Sequence, residues 1–265
     1  TNVSIWTDER FQLNCATNSY GDYSCLITAP LELGNHIIKV NLTNENGIYK
    51  ENSTSFEVRN LTFDQFYLLD EYNQTDNILN PNEAFKLRVR IREFNGSDYF
   101  DVISGNFNLT YNGVDYTLTH IGNSIWETTT SVGNAPSTIG TYSLLANITG
   151  TSANGIKVKD VTLSRSYYVK TIFITLDPYN KIYNSTNFYG KAILLPDNLS
   201  LINNATYLYF DNQLIASNNT NEQGNYVIFL NAPSLGKRSI KVNLTNYQGI
   251  YGENISIMEV WAPTN

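Results

Sequence analysis

The sequence is poor in the residues that do chemistry. Its 265 positions hold two cysteines, two histidines and one methionine. Neither His36 nor His120 has a partnered nucleophile within reach by sequence, so surface or turn positions are expected for both. A glycine-rich phosphate loop, a nucleophile elbow and zinc-ligand spacing are all missing. Twenty-four acids could be paired in many ways, but none stands out, and no catalytic residue is expected. Runs of about 18 apolar residues are also lacking, so no segment is expected to span a membrane. There is no charged start followed by a short apolar stretch, the mark of a signal peptide. The expectation is a mature ectodomain, or a piece of one, whose export signal and anchor lie outside these residues. A basic surface is wanting too: the net charge is −7, which argues against nucleic acid as a partner.

What is abundant is Asn, Thr, Ile and Tyr, a composition that favours packed β-structure over helix. Fourteen asparagines open an Asn-x-Ser/Thr sequon: Asn2, Asn41, Asn52, Asn60, Asn73, Asn95, Asn108, Asn147, Asn184, Asn198, Asn204, Asn218, Asn243 and Asn254. Chance pairing of these residue types gives roughly six. The excess indicates secretion and covalent N-glycans. Cys15 and Cys25 flank a Gly21-Asp22 turn signal, which suggests a cross-strand disulfide in a hairpin. Closing so short a loop stabilises by roughly 2.5–3 kcal/mol in the chain-entropy model. Two Cys without a neighbouring His cannot fill a metal shell. A disulfide implies an oxidising, extracellular location.

The heptad IKVNLTN occurs twice, at 38–44 and 240–246. It sits inside a longer match: residues 33–58 and 235–260 agree at 16 of 26 positions without a gap. Upstream, GDYSCLITAP (21–30) answers GNYVIFLNAP (224–233), one residue out of step. A weaker third copy at 139–163 keeps the Asn147 sequon and an Asn154-Gly155 turn. Ile38, Val40 and Leu42 alternate with Lys39, Asn41 and Thr43, as Ile240, Val242 and Leu244 do with their neighbours; the sequon asparagines thus fall on the polar face. Between the copies, FKLRVRI (85–91) alternates cleanly, and FNLTYNGVDYTL (107–118) is a hairpin about Asn112-Gly113. Short strands separated by turns indicate tandem antiparallel Ig-like β-sandwiches, all-β throughout.

The order of these features resembles the Ig-like β-sandwich repeats of archaeal or bacterial cell-surface proteins such as surface-layer, stalk and filament proteins. It runs from a Gly-aromatic strand through Ala-Pro and Leu-Gly to an apolar strand, an Asn-Gly turn and a final strand ending in Val. The composition is closer to the archaeal members. The resemblance implies a structural or adhesive role on the cell surface.

Junctions at Arg59-Asn60 and Lys170 divide the chain into 1–59, 60–169 and 170–265. The first domain lacks about 33 residues that the last holds ahead of its heptad, including TIFITL (171–176) and NFYGKAIL (187–194), read as strands. The N-terminal sandwich is therefore expected to be incomplete. Either the chain is a stretch of a longer repeat protein, or a strand from a neighbouring chain completes the domain.

Two weaker features remain. Lys86, Arg88, Arg90 and Arg92 form a basic stripe that could hold an acidic glycan or pair with acids on the adjacent strand. Asp70, Glu71, Asp76 and Glu83, with Asn77 near the first junction, are calcium candidates without EF-hand spacing. The expected function is a non-catalytic structural glycoprotein segment of a surface layer, stalk or filament, with neighbouring copies or other surface proteins as partners. The alternative is an adhesin-type module recognising a glycan or another cell, for which exposed tyrosines should cluster at one loop end.

Overall fold

Alternating apolar and polar residues, broken by Asn, Asp and Gly at positive φ, leave this chain little choice but short antiparallel strands. The computed structural model describes residues 2–158, 161–176, 181–183 and 185–262, and every regular element among them is a strand. The first four are β1 (Asn2–Thr7), β2 (Arg10–Ala16), β3 (Gly34–Thr43) and β4 (Tyr49–Val58). The middle region holds β5 (Asn60–Leu69), β6 (Ile78–Leu79), β7 (Ala84–Phe94), β8 (Tyr99–Asp101) and β9 (Gly105–Tyr111). It continues with β10 (Val114–Gly122), β11 (Ile125–Thr128), β12 (Gly133–Asn134), β13 (Gly140–Ser152) and β14 (Val161–Val169). The last region begins with β15 (Thr171–Ile174), β16 (Lys181–Tyr183), β17 (Ser185–Leu195), β18 (Leu199–Ser200) and β19 (Ala205–Phe210). It ends with β20 (Gln213–Asn219), β21 (Asn225–Asn231), β22 (Gly236–Thr245) and β23 (Tyr251–Trp261).

By density of contacts the chain falls into two units, Thr1–Gln65 with Val89–Glu127 and Asn147–Val161, and Phe66–Arg88 with Thr128–Ala146 and Thr162–Asn265. In the first unit, β1 to β4 form a four-stranded sheet in the order β2-β1-β3-β4. The same unit holds the Asn112-Gly113 hairpin, with Tyr111 opposite Val114 and both turn residues at positive φ. It also holds a core of Val89, Ile91, Phe107, Leu109 and Trp126. In β7 the predicted alternation is realised: Phe85, Leu87, Val89 and Ile91 are buried.

The second unit contains a two-sheet sandwich. One sheet runs β15-β17-β18, with β21 also on β17, and the other runs β16-β23-β22-β19-β20. Between them lie Phe188, Leu208, Tyr226, Ile228, Ile240, Val242 and Leu244. Removing an aliphatic side chain of this kind from water contributes about 1.5–3 kcal/mol. The expected strands at 171–176 and 187–194 are β15 and β17, paired with Ile172 opposite Leu194.

The two heptads sit in identical ladders. In the first sheet Val3, Ile5 and Thr7 pair with Leu42, Val40 and Ile38. In the last, Thr206, Leu208 and Phe210 pair with Leu244, Val242 and Ile240. The preceding hairpins match as well. Each has a two-residue turn at positive φ, Asp8-Glu9 or Asp211-Asn212. Each also has a bulge, between Ile5 and Trp6 or between Leu208 and Tyr209. Thus β2-β1-β3-β4 is the same sheet as β20-β19-β22-β23.

Candidate functional site

The two sheets differ in what covers them. Ile240, Val242 and Leu244 are wholly buried, whereas Ile38, Val40 and Leu42 are only half-buried. Ile250, after the last heptad, is 0% exposed; its counterpart Ile48 is 64% exposed. The contrast is sharpest one strand earlier. Residues 225–231 form β21, paired with β17 along seven residues from Ser185↔Asn231 to Lys191↔Asn225. The matching residues 22–28 belong to no strand. Tyr226 is 1% exposed and donates its hydroxyl proton to the Thr175 carbonyl, while Tyr23 is 46% exposed. The half-covered face of the first sheet, with this unpaired segment beside it, is the candidate site.

Cys15 and Cys25 are joined by a disulfide. The hairpin expected around them is not formed, because β2 ends at Ala16 and residues 17–33 make no ladder. The turn itself is present but is organised by Asn18, whose side-chain oxygen accepts the N–H groups of Tyr20 and Asp22 at 2.9 Å each. Asn221 does the same for Gln223 and Asn225. Asn44 and Asn246 repeat it after each heptad, for Asn46 and Ile48 and for Gln248 and Ile250. This five-residue turn, Asn-x-x-Gly-x, is the recurring connector. Its anchoring Asn lies two or three residues ahead of the turn signals read from sequence.

His36 departs from the expectation of a surface or turn histidine. It lies in β3 at 6% exposure. Its Nδ1 is 2.5 Å from Asp8 Oδ2 and its Nε2 is 2.9 Å from the Glu32 carbonyl oxygen. Both ring nitrogens face acceptors, so only the imidazolium satisfies both. The hydrogen bond to Asp8 is the main cause that raises the His36 pKa above 6.5, followed by the Glu32 carbonyl. Asp8 is lowered from 3.8, first by His36 and then by the Ile37 N–H. Asp8 Oδ1 accepts that N–H at 2.9 Å, as Asp211 Oδ1 accepts Ser239 N–H. His120 also lies in a strand, β10, with its ring 5.2 Å from that of Trp126.

The acids near the first junction are engaged locally. Asp70 Oδ1 anchors a turn of the same kind, accepting from Tyr72 and Gln74 at 2.9 and 2.7 Å. Burial is the chief cause that raises its pKa. Glu83 accepts from the backbone of Glu71 and from the backbone and side chain of Asn80. Asp76 Oδ1 accepts from Ile78, and Glu71 is exposed. Among the described residues no group of three or more His, Cys, Asp or Glu side chains is arranged to hold a metal ion. The basic stripe on β7 is half-buried throughout. Its Arg92 pairs with Asp64 on β5 and lies 4.1 Å from the centroid of the Tyr99 ring.

Of the sequon asparagines, Asn2, Asn52, Asn60, Asn73, Asn108, Asn147, Asn198 and Asn218 are exposed. Asn41, Asn95, Asn204, Asn243 and Asn254 are half-buried, and Asn184 lies outside the described residues. Five donate from Nδ2 within the fold: Asn95 to Glu57, Asn204 to the Ile202 carbonyl at 2.8 Å, Asn218 to the Val227 carbonyl at 2.7 Å, Asn243 to the Tyr251 hydroxyl at 3.4 Å and Asn254 to the Ile174 carbonyl at 2.9 Å. Exposed tyrosines occur on many strands and turns, among them Tyr20, Tyr49, Tyr99, Tyr183 and Tyr189, and in the second unit Tyr72, Tyr247 and Tyr251 lie together about Gly249 and Asn80.

No protein-family model matches the chain, and no curated protein matches it. Among solved structures it is similar to a bacterial ice-binding adhesin involved in host cell surface retention (12% identity, TM-score 0.38, 99% of this chain and 86% of that one). It is also similar to a Ca2+-stabilised adhesin of an Antarctic bacterium (14%, 0.35, 100% and 66%). A third is the three N-terminal domains of the bacteriophage RB49 Hoc outer capsid protein (10%, 0.46, 99% and 88%). With scores below 0.5 and identities of 10–14%, none of these likenesses bears on what the chain does.

Proposed function

We propose that this chain is a non-catalytic structural glycoprotein segment of an extracellular cell-surface assembly, a surface layer, stalk or filament. The observation that carries the reading is the repeated sheet. One register is built twice, fully buried in the last copy and half-covered in the first. A protein that spends its apolar residues on repeated sandwiches is organised for shape and contact. The disulfide supports an oxidising compartment, and the sequon excess supports glycosylation.

Surface labelling of intact source cells, followed by glycopeptide mass spectrometry, tests the reading. Labelled protein, with glycans at several sequons and Cys15 and Cys25 oxidised, is the expected result. Protein that is unlabelled, unglycosylated and carries free thiols would sink it.

A further inference from the structure

We propose that His36 is a pH-operated latch on the junction expected at Arg59-Asn60: its imidazolium holds the corner at 32–34 against the loop at 95–98, and loss of the proton loosens that contact. This goes beyond the structural role above, to which it adds a control on how firmly the first strands are held to the middle ones.

The chain contains its own comparison. In the ungapped match of the two copies, His36 stands where the last has Arg238. Arg238 Nη1 is 3.3 Å from Asp211 Oδ2, and its Nε and Nη2 donate to the Leu235 carbonyl at 3.0 and 2.8 Å, just ahead of β22. His36 reproduces both contacts, with Asp8 and with the Glu32 carbonyl just ahead of β3. The aspartates match too, Asp8 Oδ1 accepting the Ile37 N–H as Asp211 Oδ1 accepts that of Ser239. In each copy one cation thus ties a hairpin turn to the connection that enters the heptad strand. A guanidinium keeps its charge across the whole neutral range, whereas an imidazole does not. The neutral ring has one N–H and can satisfy only one of its two acceptors. The latch of the last copy is permanent; that of the first opens as pH rises.

What the latch holds is a contact with the middle strands. Directly after Glu32, Leu33 and Gly34 pass close to Asn95 and Gly96. A Cβ on Gly96 would lie 3.4 Å from Leu33 Cβ, and one on Gly34 would lie 3.4 Å from the Asn95 carbonyl oxygen. On β4, Glu57 stands opposite Asn35 and accepts from the Asn95 side-chain amide, and Arg59 links Glu57 to Glu93. His36 itself stands opposite Phe56, with the ring centroids 5.6 Å apart. Corner, β4 and loop therefore form one packed block, and freeing the Glu32 carbonyl loosens it from one side. The charged groups about the His36 ring are Asp8 and Glu32, with Arg10 acting on Asp8, while β4 presents the uncharged Phe56 ring. Carboxylates and guanidinium groups keep their charge between about pH 6 and 9, so within this block the imidazole is the group that switches.

The test follows backbone amide exchange of the full chain by NMR from about pH 5.5 to about pH 8.5, corrected for the intrinsic exchange rate. Protection of Ile37, Asn95 and Asp98 is expected to fall at least about tenfold over that range, with its midpoint where the His36 ring itself titrates. Ser239, whose N–H goes to Asp211, should keep its protection and serves as the internal control. His36→Arg, which copies the cation of the last copy, should remove the fall. No fall, a midpoint away from the His36 titration, or a fall that persists in His36→Arg would each overturn the proposal. So would a fall at Ile37 that leaves Asn95 and Asp98 unchanged, since the latch would then act only within its own sheet. The midpoint is read in the unaltered chain, which keeps the test valid even if His36→Arg impairs folding. Surface labelling and glycan occupancy are untouched by any of these results, so this inference and the cell-surface reading fail separately.

Discussion

Single side chains carry the clearest electrostatic and chemical commitments. His36 sits between two acceptors, Asp8 and the Glu32 carbonyl, and the sign of its linkage follows. A histidine raised above 6.5 on folding stabilises fully below that value, and the gain is lost as pH rises through the folded pKa. Asp8, lowered from 3.8, stabilises above its unfolded value and loses that gain as pH falls through its folded one. The first sheet should therefore be firmest between about pH 4 and 6.5. NMR titration should place His36 above 6.5 and Asp8 below 3.8, and His36→Gln should flatten the decline on the alkaline side. A His36 that titrates at or below 6.5 would contradict the geometry. Asparagine chemistry gives a second expectation. Glycan attachment replaces an Nδ2 hydrogen, and at Asn95 and Asn254 that nitrogen is already donating inside the fold. Glycopeptide mapping should find both unmodified while exposed Asn2 and Asn108 are occupied; a glycan on Asn95 or Asn254 would show the side chains placed otherwise.

At the scale of elements, the Asx turn decides whether a strand-to-strand connection is sound, and its value depends on what covers it. Asn246 is buried, and the Ile250 N–H it satisfies is buried with it. Asn246→Ala should cost about 1–3 kcal/mol, the penalty of an orphaned buried donor. Asn44 makes the same bonds in the open copy, where water can replace them, so Asn44→Ala should cost about 0.5–1.5 kcal/mol. Chemical denaturation of the two variants measures the difference, and equal costs would mean that the first copy is as closed as the last. The alternation that made these strands readable in sequence survives in β7, β13 and β22, whereas in β3 residues 38–42 are all half-buried. Strands β1 and β2 escaped the sequence reading because their alternation is short: Val3, Ile5 and Thr7 span one face, and Gln12 bulges out of register. Their signal was the comparison of VSIWTDE with YLYFDN, each an alternating run ending in a two-residue turn that begins with Asp. The lack of counterparts to 171–176 and 187–194 was readable, but not that it would appear as a missing ladder at 22–30. Residues 22–30 have strand periodicity, and unlike β21 they have no strand of the β17 kind beside them among the described residues.

Across the whole molecule, each unit contains direct polar contacts close to a junction expected from the sequence. In the first unit Arg59, the only residue between β4 and β5, bridges Glu57 and Glu93 and lies over the Phe100 ring at 3.8 Å. Asn95 reaches Glu57 from the other side. In the second unit Asn80 accepts the Tyr251 N–H at 2.8 Å and donates to the Gly249 carbonyl at 3.1 Å. The Tyr72 ring packs so closely on Gly249 that a Cβ there would lie 2.7 Å from it. These are polar clamps whose partners are already matched. The calcium candidates belong to the same fabric: Asp70, Asp76 and Glu83 accept backbone N–H groups that a bound cation would have to displace. A hard cation prefers six to eight oxygen ligands, and in this loop one oxygen each of Asp70 and Asp76 and both of Glu83 already accept backbone N–H groups. Stripping divalent cations with a chelator should therefore leave the unfolding temperature of the chain within about 1 °C, since a site bound at 100 times its dissociation constant would otherwise contribute about 2.7 kcal/mol. A fall of several degrees on chelation, restored by calcium and abolished by Asp70→Asn, would return the ion to the junction and make the clamp a consequence of its absence.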